Sequence, residues 1–542
     1  MRGSNTFSTS VMKWLSINRV SAYTITHSLL INQDKVAMAV ILFGFLLRIP
    51  FVFTGIGTLS HPWRPADTAS IAHNFLVNGF QIFYPQINWG GAGPGYVETE
   101  FQLYPFVVAL LYKVLGEYFW IGRAVSLAVT ALTCIVFYRL ALRMFNKTVA
   151  VFALAFFVLS PLYFRYSIEF MPDATVMFFY ITSISCFLWW LKTKHNSTLL
   201  LTSVFTAFAI LVKPTSIHIG FLFFFLLIQR YGWRAFTMPK IWIFGISSLL
   251  PGALWYIHAR DLFLTYGSTF GVISGGDSKF GNILAYWTSL KYYGDLFDIL
   301  VNRALTAPGA AIFLAGTFIY LRNRSQSVFL FGLIAYLIYC LIIPRYITIA
   351  EYYNIYFVTY AAFGFGVGGA WIFEKFRMAT RSSRLLIYKR AVLQVTVIGL
   401  LLLFSRIMFG YFRDFSSVHD EPQIVCAIQA PTLIPSSAKV IVSTTSSTLD
   451  EGVPNNYQEP TIFYVGNFTG WSLAADQHTP QQVEQYRTEG ATYLIMFSRE
   501  LVQASSQLMI SLERNTSQIG PGIERGCAVY QLNKSLVSGA PR

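Results

Sequence analysis

The chain has 542 residues, 54% of them hydrophobic and 12% charged, with a mean hydropathy of +0.51, too apolar for a soluble domain of this size. The formal net charge of +15 argues for nucleic acid only until its distribution is read: the Lys and Arg residues sit in short groups between apolar runs, as in loops that fix membrane orientation. No nucleic-acid partner is expected. Of the five cysteines, Cys134, Cys186 and Cys340 lie inside apolar runs and show no metal spacing, which leaves Cys426 and Cys527 able to pair.

The first 35 residues are polar and carry Lys13, Arg19 and Lys35. The apolar run behind them has no small-residue cleavage site, so residues 1–35 read as a cytoplasmic tail before an uncleaved first span. Apolar runs at about 36–56, 119–143, 149–167, 171–191, 198–212, 214–229, 240–258, 304–321, 326–343, 350–373 and 391–410 predict about eleven crossings. The basic stretch 374–390 marks the inner face most clearly. Arg139 with Arg143 and Lys147, Lys192 with Lys194, Arg230 with Arg234 and Lys240, and Arg322 with Arg324 mark the other inner loops.

Two consequences follow from that topology. Runs 198–212 and 214–229 enter and leave on the basic side, so Lys213-Pro214 forms the outer tip of a hairpin. Residues 101–115 look like a span but would invert every later loop, so they lie in the interface, and the first outer loop runs from about 57 to 118.

That loop is the first long polar interruption and the expected place of chemistry. Asp67 opens a segment whose apolar residues Ile71, Ala72, Phe75 and Leu76 fall on one helical face, suited to a membrane surface. A carboxylate at a helix start beside the bilayer can take a hydrogen bond or a proton from an acceptor hydroxyl; the plainer alternative is a helix cap. Trp63, Phe83, Tyr84, Trp89 and Tyr104 suit sugar faces or interface anchoring.

Other outer connections add Arg165, Glu169 and Asp173 from SPLYFRYSIEFMPD, Lys213 from LVKPTS, Asp277 and Lys279 from SGGDSKFG, and Arg345, Glu351, Tyr352 and Tyr353 from PRYITIAEYY. Ionisable groups near membrane depth are expensive and usually face a cavity, so their collection on one side predicts a single outward-facing site. Carboxylates with cations there suit the departure of a sugar from a lipid phosphate. After residue 410 the composition shifts to a small soluble α/β domain, with strands expected at 439–443, 461–465, 492–497 and 528–532 and a helix at 480–488. It has no Gly-rich phosphate loop and no nucleophile elbow.

The stretches PADTASIAHNFLVNGFQIFYPQINWGG, PGYVETEFQLYPFVVALLYKVLG, SPLYFRYSIEFMPDATVMFF, LVKPTS, GGDSKFG and EYYNIYF together resemble the polytopic GT-C glycosyltransferases. More narrowly, the chain is similar to the bacterial branch related to protein O-mannosyltransferases, the lipid A aminoarabinose transferase and the lipopolysaccharide-core galacturonosyltransferases, over roughly residues 36–410. The resemblance implies a mainly α, multi-pass fold, a polyprenyl-phosphate-linked sugar donor, inverting transfer to a cell-envelope lipid, glycan or protein acceptor, and an essential carboxylate that by position is Asp67. Its second acidic position matches Asp173, with Glu169 one turn before. Relatives commonly carry a His where this chain has Ala350, which leaves Glu351 and Tyr352 as substrate contacts.

The combined reading is an integral glycosyltransferase of a bacterial inner membrane, with a transmembrane domain over 36–410 and an extracytoplasmic domain over 411–542. Asp67 and Asp173 are the catalytic candidates. Lys213, Arg165 and Arg345 are candidates for holding phosphate, or for structural pairing of Arg165 and Arg345 with Glu169 and Glu351. Glu98 and Glu100 are gate or acceptor-side residues, or solvated loop charges; His61 and His73 serve the loop's hydrogen bonding. No cofactor is required, although Asp67, Glu169 and Asp173 would suit a divalent metal if they converged. A transporter or flippase of lipid-linked sugars, a diphosphate-donor oligosaccharide transferase and an inactive scaffold remain as alternatives.

Overall fold

The computed structural model describes residues 33–57, 59, 61–273, 283–322, 327–380, 422–436, 438–448, 457–497, 506–522 and 527–536. In chain order its principal helices are α1 (Gln33–Val52), α2 (Trp63–Val77), α3 (Leu103–Leu115), α4 (Phe119–Met144), α5 (Lys147–Leu159), α6 (Pro161–Tyr166), α7 (Asp173–Thr193), α8 (Asn196–Val212), α9 (Ile219–Tyr231) and α10 (Pro239–Tyr266). After these come α11 (Leu290–Phe297), α12 (Ala307–Arg322), α13 (Ser327–Ile342) and α14 (Ile355–Thr380), then α15 (Pro422–Gln429), α16 (Pro460–Gly466), α17 (Pro480–Thr488) and α18 (Ser506–Asn515).

Ten of the eleven expected apolar runs fall on described helices; the run 391–410 and the basic residues 381–390 lie outside the described residues. Five helical segments, α1, α4, α7, α10 and Glu351–Lys375, are long and apolar enough to cross a bilayer, and the bent pair Leu290–Leu305 with Ala307–Arg322 makes a sixth if it counts as one span. The remaining runs are shorter. Residues 149–167 become two helices because Pro161 starts α6 after the break at Ser160. α3 has 13 residues, about 20 Å of helix, too short for a hydrocarbon core of about 30 Å.

Outward faces are apolar, as a helix facing lipid requires. Along α10 the side chains Ile243, Ile246, Leu250, Leu254, Ile257 and Leu264 are all strongly exposed. The inward faces form one large aromatic and aliphatic core, with Phe137 stacked between Phe157 and Phe363. Where α12 crosses α14 the backbones touch: a Cβ on Gly316 would overlap the carbonyl oxygen of Gly364, and one on Gly368 would overlap that of Ile312. Small residues permit this approach, as in other membrane helix pairs.

Outside the bundle, five strands form one sheet in the order β4-β3-β5-β7-β6, from β3 (Lys439–Ser443), β4 (Thr469–Leu473), β5 (Tyr493–Met496), β6 (Ser517–Gly522) and β7 (Cys527–Gln531). β3, β4 and β5 run parallel, and β7 is antiparallel to β5 and β6. Three expected strands and the helix α17 are present, and β4 and β6 were not expected. The expected strand 461–465 is instead the helix α16, started by Pro460 with the Glu459 carboxylate accepting from the Thr461 amide at 3.2 Å, and closed by Asn467 at φ +50°. Cys426 and Cys527 form a disulfide between α15 and β7.

The sheet joins the first outer loop directly. Gly90 bridges Trp471 on the edge strand β4, the Gly91 amide donates to the Gly470 carbonyl at 2.7 Å, and the Gly470 amide to the Asn88 carbonyl at 3.0 Å. One hydrophobic cluster then runs from Ile71 and Phe75 of α2 through Trp89 to Ile462 and Phe463 of α16. Ile71, Ala72 and Phe75 are therefore buried against protein, not laid on the membrane as their spacing suggested.

The packing makes one strong prediction. Gly316→Val should destabilise the purified protein by about 2 kcal/mol through overpacking, seen as a lower unfolding midpoint in detergent, whereas Gly245→Ala, with open space around its Cβ position, should leave the midpoint within error.

Candidate active site

α2 begins at Trp63, with Pro62 at its N-cap and no side-chain cap. Asp67 consequently sits in the second turn, so neither capping nor the start of the helix explains it. It is fully buried. Trp89 Nε1 donates to its Oδ1 at 2.9 Å, while Oδ2 has no hydrogen-bond partner among the described residues. Burial lifts the Asp67 carboxyl to about 7, against the opposing pull of the Trp89 hydrogen bond and the Arg64 charge.

Arg64, three residues before Asp67, projects from the same helix and donates to Glu100 Oε2 at 2.6 Å; the Thr99 hydroxyl donates to that oxygen at 2.9 Å. Burial pushes the Glu100 carboxyl up, but the Arg64 guanidinium outweighs it and holds the group below its usual range. Phe270 covers this corner. Its ring lies 4.8 Å from the Arg64 guanidinium and stacks on Trp89 with centroids 6.1 Å apart. Phe270 is held there by Glu98, whose carbonyl accepts from the Phe270 amide at 2.9 Å and whose Oε1 accepts from the Ile273 amide at 2.6 Å, as β1 (Val97–Glu98) pairs in parallel with β2 (Ser268–Thr269). Glu98 and Glu100 are buried structural carboxylates, not solvated loop charges.

Deeper in, Asp173 opens α7 and accepts from Lys213 Nζ at 2.5 Å. Lys213 is not an exposed hairpin tip: it closes α8, is buried, and points its ammonium at the rings of Tyr352 and Tyr353, 4.4 and 5.3 Å away. The suggested structural pairings of Arg165 with Glu169 and of Arg345 with Glu351 are replaced by others. Arg165 binds Glu351, not Glu169, and Glu351 also accepts from the Tyr166 hydroxyl at 2.8 Å and from Arg303 Nη1 at 2.9 Å. Glu169 is fully buried against Arg123, at 2.9 Å, while Arg123 also donates to the carbonyls of Phe51, Thr54 and Gly55. Arg345 stands half-buried on the short helix Pro344–Ile349.

A cavity of about 680 Å³ opens on this face, lined among others by the cations Arg64, Lys291 and Arg303, the acids Asp295, Asp298 and Glu351, and the rings of Trp63 and Tyr352. Of the expected site residues only Glu351 and Tyr352, with His61, line it. Asp67, Glu100, Asp173 and Lys213 stand behind its wall; Arg165, Glu169 and Arg345 also do not line it. Three cations on the lining were not anticipated. Arg64 precedes the expected Asp67 by less than one turn, but Lys291 and Arg303 come from a bent arm, Leu290–Leu305, that turns by 94° into α12 at Thr306. Thr306 adopts φ +64°, a region costly for a β-branched residue, and the Ser160 hydroxyl donates to the Ala304 carbonyl at 2.8 Å to hold the arm. Asp277 and Lys279 lie outside the described residues.

Among the described residues no group of three His, Cys, Asp or Glu side chains is placed to hold a metal ion. Of the three acids that would suit a metal if they converged, Glu169 is bonded to Arg123 and Asp173 to Lys213. Lys213→Met leaves Asp173 buried with no cation and should cost about 3 kcal/mol of stability, read as a lower unfolding midpoint in detergent; Lys213→Met with Asp173→Asn should recover most of that loss.

The family model of the dolichyl-phosphate-mannose-protein mannosyltransferases matches residues 102–257. No curated protein matches the chain. Among solved structures, ArnT from Cupriavidus metallidurans in the apo state is 13% identical, covers 98% of this chain and 100% of its own, and superposes with a TM-score of 0.58. The same protein bound to undecaprenyl phosphate is 14% identical over 95% of this chain and 100% of its own, with a TM-score of 0.56. The oligosaccharyltransferase of Archaeoglobus fulgidus in the apo form is 13% identical over 86% of this chain and 69% of its own, with a TM-score of 0.52. With its long apolar helices and small α/β sheet, the chain is a multi-pass membrane protein with the fold of the polytopic GT-C glycosyltransferases.

Proposed function

We propose that the protein transfers a sugar from a polyprenyl phosphate to a hydroxyl-bearing acceptor on the outer face of a bacterial inner membrane, with inversion at the sugar's anomeric carbon. The observation that carries this reading is the Asp67 carboxylate, buried behind a cavity whose lining includes Arg64, Lys291 and Arg303, with one oxygen held by Trp89 and the other unbonded among the described residues. In the proposed step the free oxygen takes the acceptor's O–H proton as the acceptor oxygen attacks. The bond from the anomeric carbon to the phosphate oxygen breaks, and its electron pair leaves with the polyprenyl phosphate.

At the cavity Lys291, with Arg64 and Arg303 beside it, supplies positive charge for that phosphate; Arg64 is at the same time bonded to Glu100, and Arg303 to Asp298 and Glu351. Lys213 and Arg165 lie off the lining, bound to Asp173 and Glu351; their roles are to fix the helix ends that shape the site. Asp173 serves through Lys213, and Glu351 by orienting Arg303. Tyr352, on the lining and beneath the Lys213 ammonium, is the sugar-facing aromatic. Undecaprenyl phosphate bound to ArnT of similar fold supports the donor class. Acceptor access to Asp67 requires the Trp63, Arg64 and Phe270 side chains to part, since they close the route from the cavity.

In proteoliposomes supplied with a lipid-linked sugar, Asp67→Asn should lower transfer by about 10²- to 10⁴-fold without loss of expression; undiminished transfer removes Asp67 from the mechanism, as a flippase would require. A base raised to about 7 is protonated below that pH, so transfer should rise with pH across this range. Trp89→Phe removes the donor that opposes the rise, so the ascending limb should move to higher pH. The same raised carboxyl favours folding when protonated, a contribution present in full below the ordinary Asp range and lost as pH climbs through about 7.

A further inference from the structure

A second cavity of about 540 Å³ lies farther along α2, between the end of α1, the start of α4 and the helix α16 of the outer domain. Its chemistry differs from that of the first. No Lys or Arg lines it among the described residues; its polar groups are His73, Glu117, Asn88 and Asn467. His73 Nδ1 lies 2.9 and 3.0 Å from the two Glu117 oxygens, which fixes the carboxylate at the rim. Around it stand aromatic faces: Tyr118 and Trp120 are stacked with centroids 6.4 Å apart, and Phe53 leans on Trp120 at 5.9 Å.

Flat aromatic faces beside a carboxylate and amide groups match the two sides of a pyranose ring, its C–H face and its hydroxyl edge. A carboxylate fixed by an imidazole, with no Lys or Arg on the lining among the described residues, disfavours phosphate relative to neutral or amino-bearing sugars. The cavity also communicates with the first site through adjacent residues. Asn88 lines it, accepts from Asn74 at 2.8 Å and has its carbonyl tied to the outer domain, while the next residue, Trp89, holds Asp67. Behind the rim, Arg123 fixes the carbonyls of Thr54 and Gly55, so the wall is built, not loose.

We propose that this cavity binds a neutral or amino-bearing hexose, the sugar portion of a glycan acceptor, on the Tyr118 and Trp120 faces with Glu117 on the hydroxyl edge. The word acceptor rests on the transfer reading above; the binding itself does not.

The test titrates the full chain in detergent with methyl mannoside, methyl glucosaminide and, as the anionic control, inorganic phosphate, read by saturation-transfer NMR. At least one glycoside should bind saturably, and phosphate should not compete. Trp120→Ala and Glu117→Gln should each weaken the glycoside by about tenfold, and Tyr118→Leu, at an exposed ring, tests the same face should Trp120→Ala fail to fold. Asp67→Asn should leave binding unchanged, so a failed transfer reading and a failed sugar site give separate results. Absence of saturable binding, or binding that survives both Glu117→Gln and Tyr118→Leu in folded protein, overturns the proposal.

Discussion

A charge removed from water costs several kcal/mol unless an opposite charge or a set of donors meets it, and the outward end of this bundle is arranged by that constraint. Asp173 meets Lys213, Glu100 meets Arg64, Glu169 meets Arg123, and Glu351 meets both Arg165 and Arg303. Each pair joins segments far apart in the chain, so the pairs fix the relative position of α2, α4, α6, α7, α8 and the turn before α14. Asp67 departs from the pattern. Its one strong donor is the indole of Trp89, which leaves a buried oxygen available and the carboxyl lifted toward neutrality. Asp173 also keeps one buried oxygen without a partner among the described residues, but its other oxygen meets Lys213, whereas Asp67 has an indole and no ion-paired cation among them, which makes it chemically distinct from the four paired acids.

The outer domain contributes by closing what the bundle leaves open. The turn at 88–91 docks on the edge strand β4, which would otherwise present unpaired backbone groups. The same turn carries Trp89 to Asp67, and Trp63 Nε1 donates to the Gln458 carbonyl at 2.5 Å just before α16. Position of the sheet and orientation of the carboxylate are therefore coupled through a few residues of backbone. The disulfide between α15 and β7 ties the ends of this domain together across 101 residues of sequence, restricting the unfolded chain.

Two cavities flank α2 with different linings. One carries three cations, Arg64, Lys291 and Arg303, among three acids, Asp295, Asp298 and Glu351; the other carries Glu117 with His73 and aromatic faces and no Lys or Arg among the described residues. The segment 88–89 runs between them, with Asn88 on the second lining and Trp89 on Asp67.

The sequence by itself determined the membrane class, ten helical segments, the helix at 480–488 and the loop that holds Asp67, because hydropathy, charge and turn residues act over local windows; it left Cys426 and Cys527 able to pair, and the fold decided that they do. It misread 461–465 as a strand, since β-branched and aromatic residues weigh toward strands while Pro460 and Glu459 decide the start of a helix. It also laid the apolar face of α2 on lipid, since spacing shows that a face is buried but not by what. Only the tertiary structure decided which acid pairs with which base. Arg165 finds Glu351 across 186 residues and Arg303 joins them through a 94° bend; ion pairing depends on distance in space, to which sequence separation is no guide. For the same reason the burial and half-satisfied state of Asp67 came from the fold, which placed Trp89 against one of its oxygens and nothing described against the other.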